Sequence, residues 1–235
     1  MTWVETLSET TDTIFGTEWD VRDGIVIPDT EDVALKDGAV KLDATFLYAD
    51  LAGSSKLAKL CPWQTTAKII RAYLDCSTRL IKAWGGEIKS FDGDRVMGVF
   101  IGDMKNTHAS YCAREIDYTV EKIIGPKATE KFKSVADNGI KIRHAVGIDT
   151  GTARTVRAGI RNSNDLIWIG RPPSLAAKLS DVRKYPYCVY ISSECHTKLA
   201  DAARSVDGTN IWEKVEHDYA GDTLTVYRTS YMKTP

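Results

Sequence analysis

Short apolar runs alternate along this chain with longer amphipathic stretches. ATFLYAD (44–50) is a run of strand type that closes on Asp50 and gives way to the small, flexible LAGSS of 51–55. Pro62 stands where a helix can begin. Ile69, Ile70, Tyr73, Leu74, Leu80, Ile81 and Trp84 then recur at helical spacing as far as Gly85-Gly86, a helix stop. EIKSF (87–91) and DRVMGVFIG (94–102) flank Asp92-Gly93, and two such runs around an Asp-Gly turn predict a hairpin. Ala109, Cys112, Ala113, Ile116, Val120 and Ile123 share one face of a helix predicted over 104–124.

The second half continues in the same manner. KIRHAVGID (141–149) predicts a strand that ends at Asp149 before a turn containing Gly151. LIWIG (166–170) is a short strand, and Pro172-Pro173 opens a helix on which Leu175, Ala176 and Leu179 face one way. A strand over 187–192, a short helix over 193–203 and a last strand over 223–229 complete the series. Residues 1–40 carry few periodic signals and are punctuated by Gly24, Pro28, Asp29 and Gly38. They are expected to form an extension, with Trp19, Val21, Ile25 and Ile27 available for packing, ahead of a main domain over 41–235. Strands and helices mix without strict βαβ alternation. The expectation is therefore an α+β fold, a mostly antiparallel sheet with helices on one face.

Composition narrows the function classes. The 235 residues carry 31 basic and 32 acidic side chains, a net charge of −1, which removes any bulk electrostatic case for nucleic acid or an anionic membrane as partner. The five cysteines are odd in number and form no C-x-x-C pair, so they read as reduced thiols of a cytosolic protein. The four histidines show no zinc spacing relative to them. The polar, acidic N-terminus lacks the pattern of a signal peptide, and no apolar stretch approaches the ~20 residues that span a bilayer. The expected compartment is the cytoplasm.

Two aspartates carry the candidate chemistry. Asp50 ends a rigid apolar strand, and the loop after it presents backbone N–H groups suited to phosphate oxygens. Asp94 is displayed at the hairpin tip beside Asp92 and Gly93. A strand-end carboxylate and a hairpin carboxylate converge if the hairpin lies beside the first strand. Such a pair suits magnesium or manganese bridging substrate phosphates. Cap and turn chemistry explain the same two residues without any metal, and the residues alone leave both readings open.

Four blocks, in order, carry a resemblance. FLYADLAGSSKLA resembles the first metal strand of class III adenylate and guanylate cyclases, and GGEIKSFDGDRVMGVF resembles their Gly-Gly, strand, Gly-Asp, strand block. RHAVGIDTG resembles their Arg-x-Gly-Ile strand and turn, and IGRPPSLAAKL resembles their Gly-x-x-x-Asn-x-Ala-x-Arg helix. Together the blocks cover about residues 44–200. The resemblance implies a ferredoxin-like class III cyclase domain working as a head-to-tail homodimer with sites at the interface. It makes Asp50 and Asp94 the carboxylates for two Mn2+ or Mg2+ ions per site, with the Leu51 carbonyl as a backbone ligand. It carries Phe46 over as a substrate-binding position and makes Gly53, Ser54 and Ser55 the triphosphate cradle. It also implies the reaction, in which one metal acidifies the ribose 3′-hydroxyl for in-line attack on the α-phosphorus and the other holds the leaving pyrophosphate.

Departures from the family pattern narrow the substrate. The base-selecting Lys and Asp of adenylate cyclases fall on Ser90 and Ile167, which cannot reproduce a purine contact pattern, and Phe91, Trp168 or Tyr48 would shrink a purine pocket. SFDGDRVM (90–97) and PPSLAAK (172–178) resemble the pyrimidine cyclases of the Pycsar antiphage systems, which make cyclic UMP or cyclic CMP for a separate effector. Ser90 and Arg95 lean toward uracil, which offers two carbonyl acceptors, so UTP is the favoured substrate and CTP the alternative. An adenylate or guanylate cyclase and an inactive nucleotide-binding module are the further alternatives. The family's ribose-orienting Asn is Ser174 here and its transition-state Arg is Lys178, a point charge in place of a fork. No triphosphate-binding Lys is evident near Tyr219–Asp222; Arg154, Arg157 or Arg161 would supply that charge, or else they line a solvated loop.

Overall fold

The computed structural model describes residues Met1–Pro235, and most of its elements follow the periodicities of the sequence. In chain order they are α1 (Trp3–Phe15), β1 (Asp20–Asp23), β2 (Gly38–Ala52), α2 (Ser54–Leu60), α3 (Trp63–Ala83), β3 (Glu87–Asp92) and β4 (Arg95–Phe100). Then come α4 (Lys105–Thr119), α5 (Gly125–Lys131), α6 (Lys133–Asp137), β5 (Arg143–Ile160), β6 (Ser163–Ile169), α7 (Arg171–Leu179) and β7 (Val189–Ser192). The chain ends with α8 (Ser193–Thr197), α9 (Asp201–Arg204), β8 (Ser205–Val206), β9 (Thr209–Asn210), β10 (Glu213–Tyr219) and β11 (Asp222–Thr229). No helix is long and apolar enough to cross a membrane.

Contacts divide the chain into two units. The first comprises Met1–Asp43 and Thr152–Gly170, the second Ala44–Gly151 and Arg171–Pro235. In the first unit, α1 opens with a capping box. Thr2 Oγ1 accepts the Glu5 N–H at 3.2 Å, and the Thr2 N–H donates to Glu5 Oε2 at 2.6 Å. This helix buries none of its residues. β1 pairs in parallel with the start of β2, and the second half of β5 pairs antiparallel with β6. Ile27 is buried as expected, whereas Trp19 and Val21 are about half exposed and Ile25 is 90% exposed.

The second unit holds the core. Its strands run in the order β10-β11-β7-β5-β2-β4-β3. Within that order, β5-β2-β4-β3 with helices after β2 and after β4 is the ferredoxin-like arrangement. Leu47, Ala49 and Leu51 of β2 join Val96 and Phe100 of β4, Val146 and Ile148 of β5, and Val189 and Ile191 of β7 beneath α3 and α4. Side chains alternate across a strand, so Tyr190 points the other way. It packs with Val226 against Leu175 and Leu179 of α7. α7 therefore lies on the opposite face from α3 and α4, which corrects the expectation of helices on one face only. Gly147 makes this packing possible: a Cβ there would sit 2.5 Å from Ser180 N and 2.7 Å from Leu179 Cβ.

Four sequence expectations change in detail. The hairpin turn is Gly93-Asp94, not Asp92-Gly93; Asp92 pairs with Arg95, and Gly93 supplies the left-handed φ of +60° that the two-residue turn needs. The helix predicted over 104–124 passes from α4 into a π turn at Val120–Ile124. The wider turn shifts the helical face, so Ile124 is buried while Ile123 is 38% exposed. No turn forms at Gly151, because glycine tolerates its φ of +145° and β5 runs on through it. β10 was not expected; its alternation is carried by half-buried Val215, His217 and Tyr219 among charged neighbours.

Candidate active site

The sheet face that carries α7 also carries the predicted chemistry. Asp50 of β2 is the cross-strand partner of Arg95, Tyr48 of Met97, and Met97 in turn of Ser90 on β3. Residues opposite one another in a ladder share a face, so Asp50, Tyr48, Arg95 and Ser90 line one surface. The Leu51 N–H donates to the Asp94 carbonyl at 3.3 Å, which ties the hairpin turn to the end of β2. The convergence of Asp50 and Asp94 expected from the sequence is thus present.

Asp50 is 7% exposed. Arg95 Nε donates to its Oδ1 at 3.2 Å, and Arg183 Nη2 donates to its Oδ2. Arg95 Nη2 donates in addition to Asp181. Burial pushes the Asp50 carboxyl above its ordinary value; Arg95 and Arg183 pull it down, and the neighbouring Asp94 charge pushes it up. Beneath lies Tyr73, fully buried, whose hydroxyl is driven well above its usual range first by burial and then by the charges of Asp50 and Asp94. Asp50, Asp94 and Asp181 are thus gathered around the two guanidiniums of Arg95 and Arg183.

The remaining predicted residues fall as follows. Gly53 adopts φ +76° with open space where a Cβ would be, and it leads into Ser54 and Ser55 at the start of α2, beside Asp50 in the chain. The Leu51 side chain belongs to the core beneath α3, which leaves only its backbone for a ligand role. Ser174 and Lys178 are both exposed, one turn apart on α7. Phe46 is wholly buried in β2. Ile167 is 47% exposed on β6, in the first unit. Arg95 directs its Nε and Nη2 to Asp50 and Asp181. Among the arginines considered for the triphosphate, Arg157 is tied to Asn164 and Glu31 within the first unit.

Some participants escaped the sequence reading. Arg183 lies 133 residues from Asp50 in sequence, and no local pattern joins them. Arg171 grips Asp149 through Nε and Nη2 at 3.1 and 3.0 Å and reaches Glu194 at 2.6 Å. This pins the start of α7 to β5 and α8. Asp117, His144 and Cys188 form a buried group whose donor atoms lie within 4.8 Å of one another. His144 Nε2 is 3.0 Å from Asp117 Oδ1. Burial, then Asp117, pushes the Cys188 thiol up. His144 Nδ1 is buried without a hydrogen-bond partner.

No family model matches the chain. A uridylate cyclase of Rhodovulum sp. (strain MB263) is 47% identical over 220 residues, covering 93% of this chain and 92% of that protein. Uridylate cyclases of Burkholderia cepacia and Xanthomonas perforans are 39% and 36% identical over 88% and 93% of this chain and 89% and 92% of those proteins. Among solved structures, the guanylyl cyclase Cya2 superposes with a TM-score of 0.66 at 18% identity, over 83% of this chain and 95% of that one. A bacterial light-regulated adenylyl cyclase gives the same TM-score and identity over 85% of this chain and 55% of that one. With near-complete alignment to such relatives and the carboxylate pair of Asp50 and Asp94 on a class III cyclase fold, the chain belongs to the uridylate cyclase family.

Proposed function

We propose that this chain converts UTP to 3′,5′-cyclic UMP and pyrophosphate, as a homodimer dependent on divalent metal, with residues 41–235 as the catalytic part. The observation that carries the reading is the 47% identity to a uridylate cyclase over nearly the whole chain. The bacterial antiphage role, with a separate effector receiving the product, rests on the Pycsar resemblance of 90–97 and 172–178.

The residues fit a hard divalent cation. Asp50, Asp94 and the Leu51 carbonyl are oxygen donors of the kind magnesium and manganese take. Asp50 already draws two guanidiniums to its two oxygens, so the pocket around it is built to accept positive charge. When bound, divalent cations acidify the ribose 3′-hydroxyl and neutralise the departing pyrophosphate. The protein's own part is positioning and electrostatics. As O3′ bonds to the α-phosphorus, the bond to pyrophosphate breaks, and charge grows on the phosphate oxygens. Lys178, exposed on α7, donates to the α-phosphate. Ser174, one turn earlier, holds the ribose. Gly53, Ser54 and Ser55 offer backbone N–H groups to the triphosphate. Ser90 and Ile167 leave the purine-selecting positions without their contacts, which favours a pyrimidine.

Incubation of the purified protein separately with UTP, CTP, ATP and GTP plus Mn2+, with products identified by mass, tests this. Cyclic UMP as the dominant product is expected. Cyclic CMP would keep the mechanism and reassign the base. Cyclic AMP or cyclic GMP would overturn the reading of Ser90 and Ile167, and no product would favour a nucleotide-binding module.

A further inference from the structure

Arg183 stands just past α7, at a position to which none of the four family blocks assigns a charge. Its Nη1 donates to the carbonyl of Ser180 at 2.5 Å and of Val182 at 3.3 Å, and its Nη2 donates to Asp50. The backbone bonds anchor one side of the guanidinium while the other meets the carboxylate. The side chain is 32% exposed, so solvent and ligand reach it. It also fronts a cavity of about 580 Å³ whose lining includes Lys184, His217 and Arg228 against a single acid, Glu216. Arg228 is itself paired with Glu213.

Two guanidiniums share Asp50, but they are held differently. Arg95 keeps a second carboxylate, Asp181, whereas the ion pair of Arg183 is with Asp50. A divalent cation held by Asp50 would stand close to the Arg183 guanidinium, and the repulsion of like charges in a partly buried site is large. Arg183 is the group whose carboxylate bond then breaks. Its backbone anchors would keep the freed fork near Asp50, within reach of the phosphates of a nucleotide held by that cation. A planar guanidinium suits phosphate oxygens better than a point charge does.

We propose that Arg183 is the polyphosphate-binding cation of this site: parked on Asp50 while the site is empty, it passes to the phosphate oxygens of the nucleotide when a divalent cation takes that carboxylate. The proposal rests on Asp50 being a metal carboxylate. It supplies the charge that the sequence left unassigned near Tyr219–Asp222.

The test uses the full chain as wild type, Arg183→Ala, Arg183→Lys and Asp50→Asn, each checked for folding by its melting curve. Mn2+ binding alone is titrated by electron paramagnetic resonance, and binding of the Mn2+ complex of inorganic tripolyphosphate by calorimetry. Arg183→Ala is expected to bind Mn2+ several-fold more tightly, because a competitor is gone. It should bind the tripolyphosphate complex on the order of 10-fold more weakly, the loss of a charge-assisted pair. Arg183→Lys should fall between on tripolyphosphate. Weakening of both affinities together, as from a damaged fold, overturns the proposal. If neither moves while Asp50→Asn abolishes Mn2+ binding, the role of Arg183 is wrong and the metal assignment stands. If Asp50→Asn binds Mn2+ as the wild type does, the metal assignment falls and the proposal with it.

Discussion

Arg95 faces Asp50 directly across the β2–β4 ladder, with Nε 3.2 Å from Oδ1. One residue on, the Leu51 N–H holds the Asp94 carbonyl at 3.3 Å. Backbone pairing thus brings the hairpin turn that carries Asp94 beside the end of β2 that carries Asp50. Asp50→Asn and Asp94→Asn keep the shape of each residue and remove its charge. Each is expected to lower kcat by on the order of 10²–10³-fold, the scale of losing one preorganised electrostatic contact in a transition state. Cyclic UMP quantified by mass, with melting curves to confirm folding, checks this. Activity within a few-fold of wild type would remove that carboxylate from the chemistry.

Gly147 sets how closely α7 approaches β5. An added Cβ would lie 2.5 Å from Ser180 N, a backbone atom that cannot swing aside. Gly147→Ala is expected to cost about 1–3 kcal/mol in urea unfolding, as overpacking does. It should also depress activity, because α7 carries Ser174 and Lys178 and leads into Arg183. An unchanged midpoint would mean that α7 rides out without loss.

The parts of this fold that were legible in the sequence are those where period and punctuation agree. β2 ends its apolar run at Asp50, α3 stops at the glycine pair after Ala83, and the hairpin is marked by Gly93. The placement of Asp50 and Asp94 was legible for the same reason. The α1 helix was missed because threonines and acids break its apolar pattern, although Thr-x-x-Glu at 2–5 was a cap signal available to be read. Nothing local distinguishes the sheet face that α7 covers, since its apolar stripe would suit either. The partners Arg183–Asp50 and Arg171–Asp149 are products of tertiary approach. A single sequence holds no periodic trace of such pairs.

Arg171 neutralises an aspartate with no exposed surface. Burial raises the Asp149 carboxyl, while hydrogen bonds from Ser192 and Arg171 and the Arg171 charge pull it back down. Removing the guanidinium leaves that group short of a partner. Arg171→Ala is expected to destabilise by about 2–3 kcal/mol, read from the urea midpoint, with Arg171→Lys recovering only part because one ammonium cannot replace the two-pronged contact. Full recovery by lysine would show that charge alone, without the fork, holds α7.

His196 stacks on Tyr227 with ring centroids 3.7 Å apart and an interplanar angle of 5°. Burial, then the nearby Arg204, lowers its pKa from the ordinary 6.5. The folded state therefore binds its proton less readily than the unfolded chain. The stability this gives is fully present above 6.5 and is lost as pH falls through the lower folded value. Thermal melts between about pH 7 and pH 5 should show a falling midpoint, and His196→Phe should flatten that slope. His217 is lowered in the same direction by burial, so a remnant of the slope should persist. A slope identical in His196→Phe would assign the whole effect elsewhere.

Ser174 and Lys178 project from α7 as exposed residues, whereas Asp50 and Asp94 lie at the end of β2 and in the hairpin turn. If each site draws its carboxylates from one protomer and its α7 residues from the other, two differently damaged chains contain one intact set between them. Asp94→Ala and Lys178→Ala are each expected to be inactive alone. In a mixed dimer, one site collects both defects and the other collects none. Random pairing makes half the dimers mixed, and each has one working site, so an equal mixture should recover about a quarter of wild-type activity. Exchange of subunits is confirmed first with differently tagged chains, so that absence of rescue bears on the site and not on the mixing. Recovery near that fraction supports shared sites. No recovery from verified mixed dimers would place Lys178 and Asp94 in the same protomer's site or remove Lys178 from the reaction.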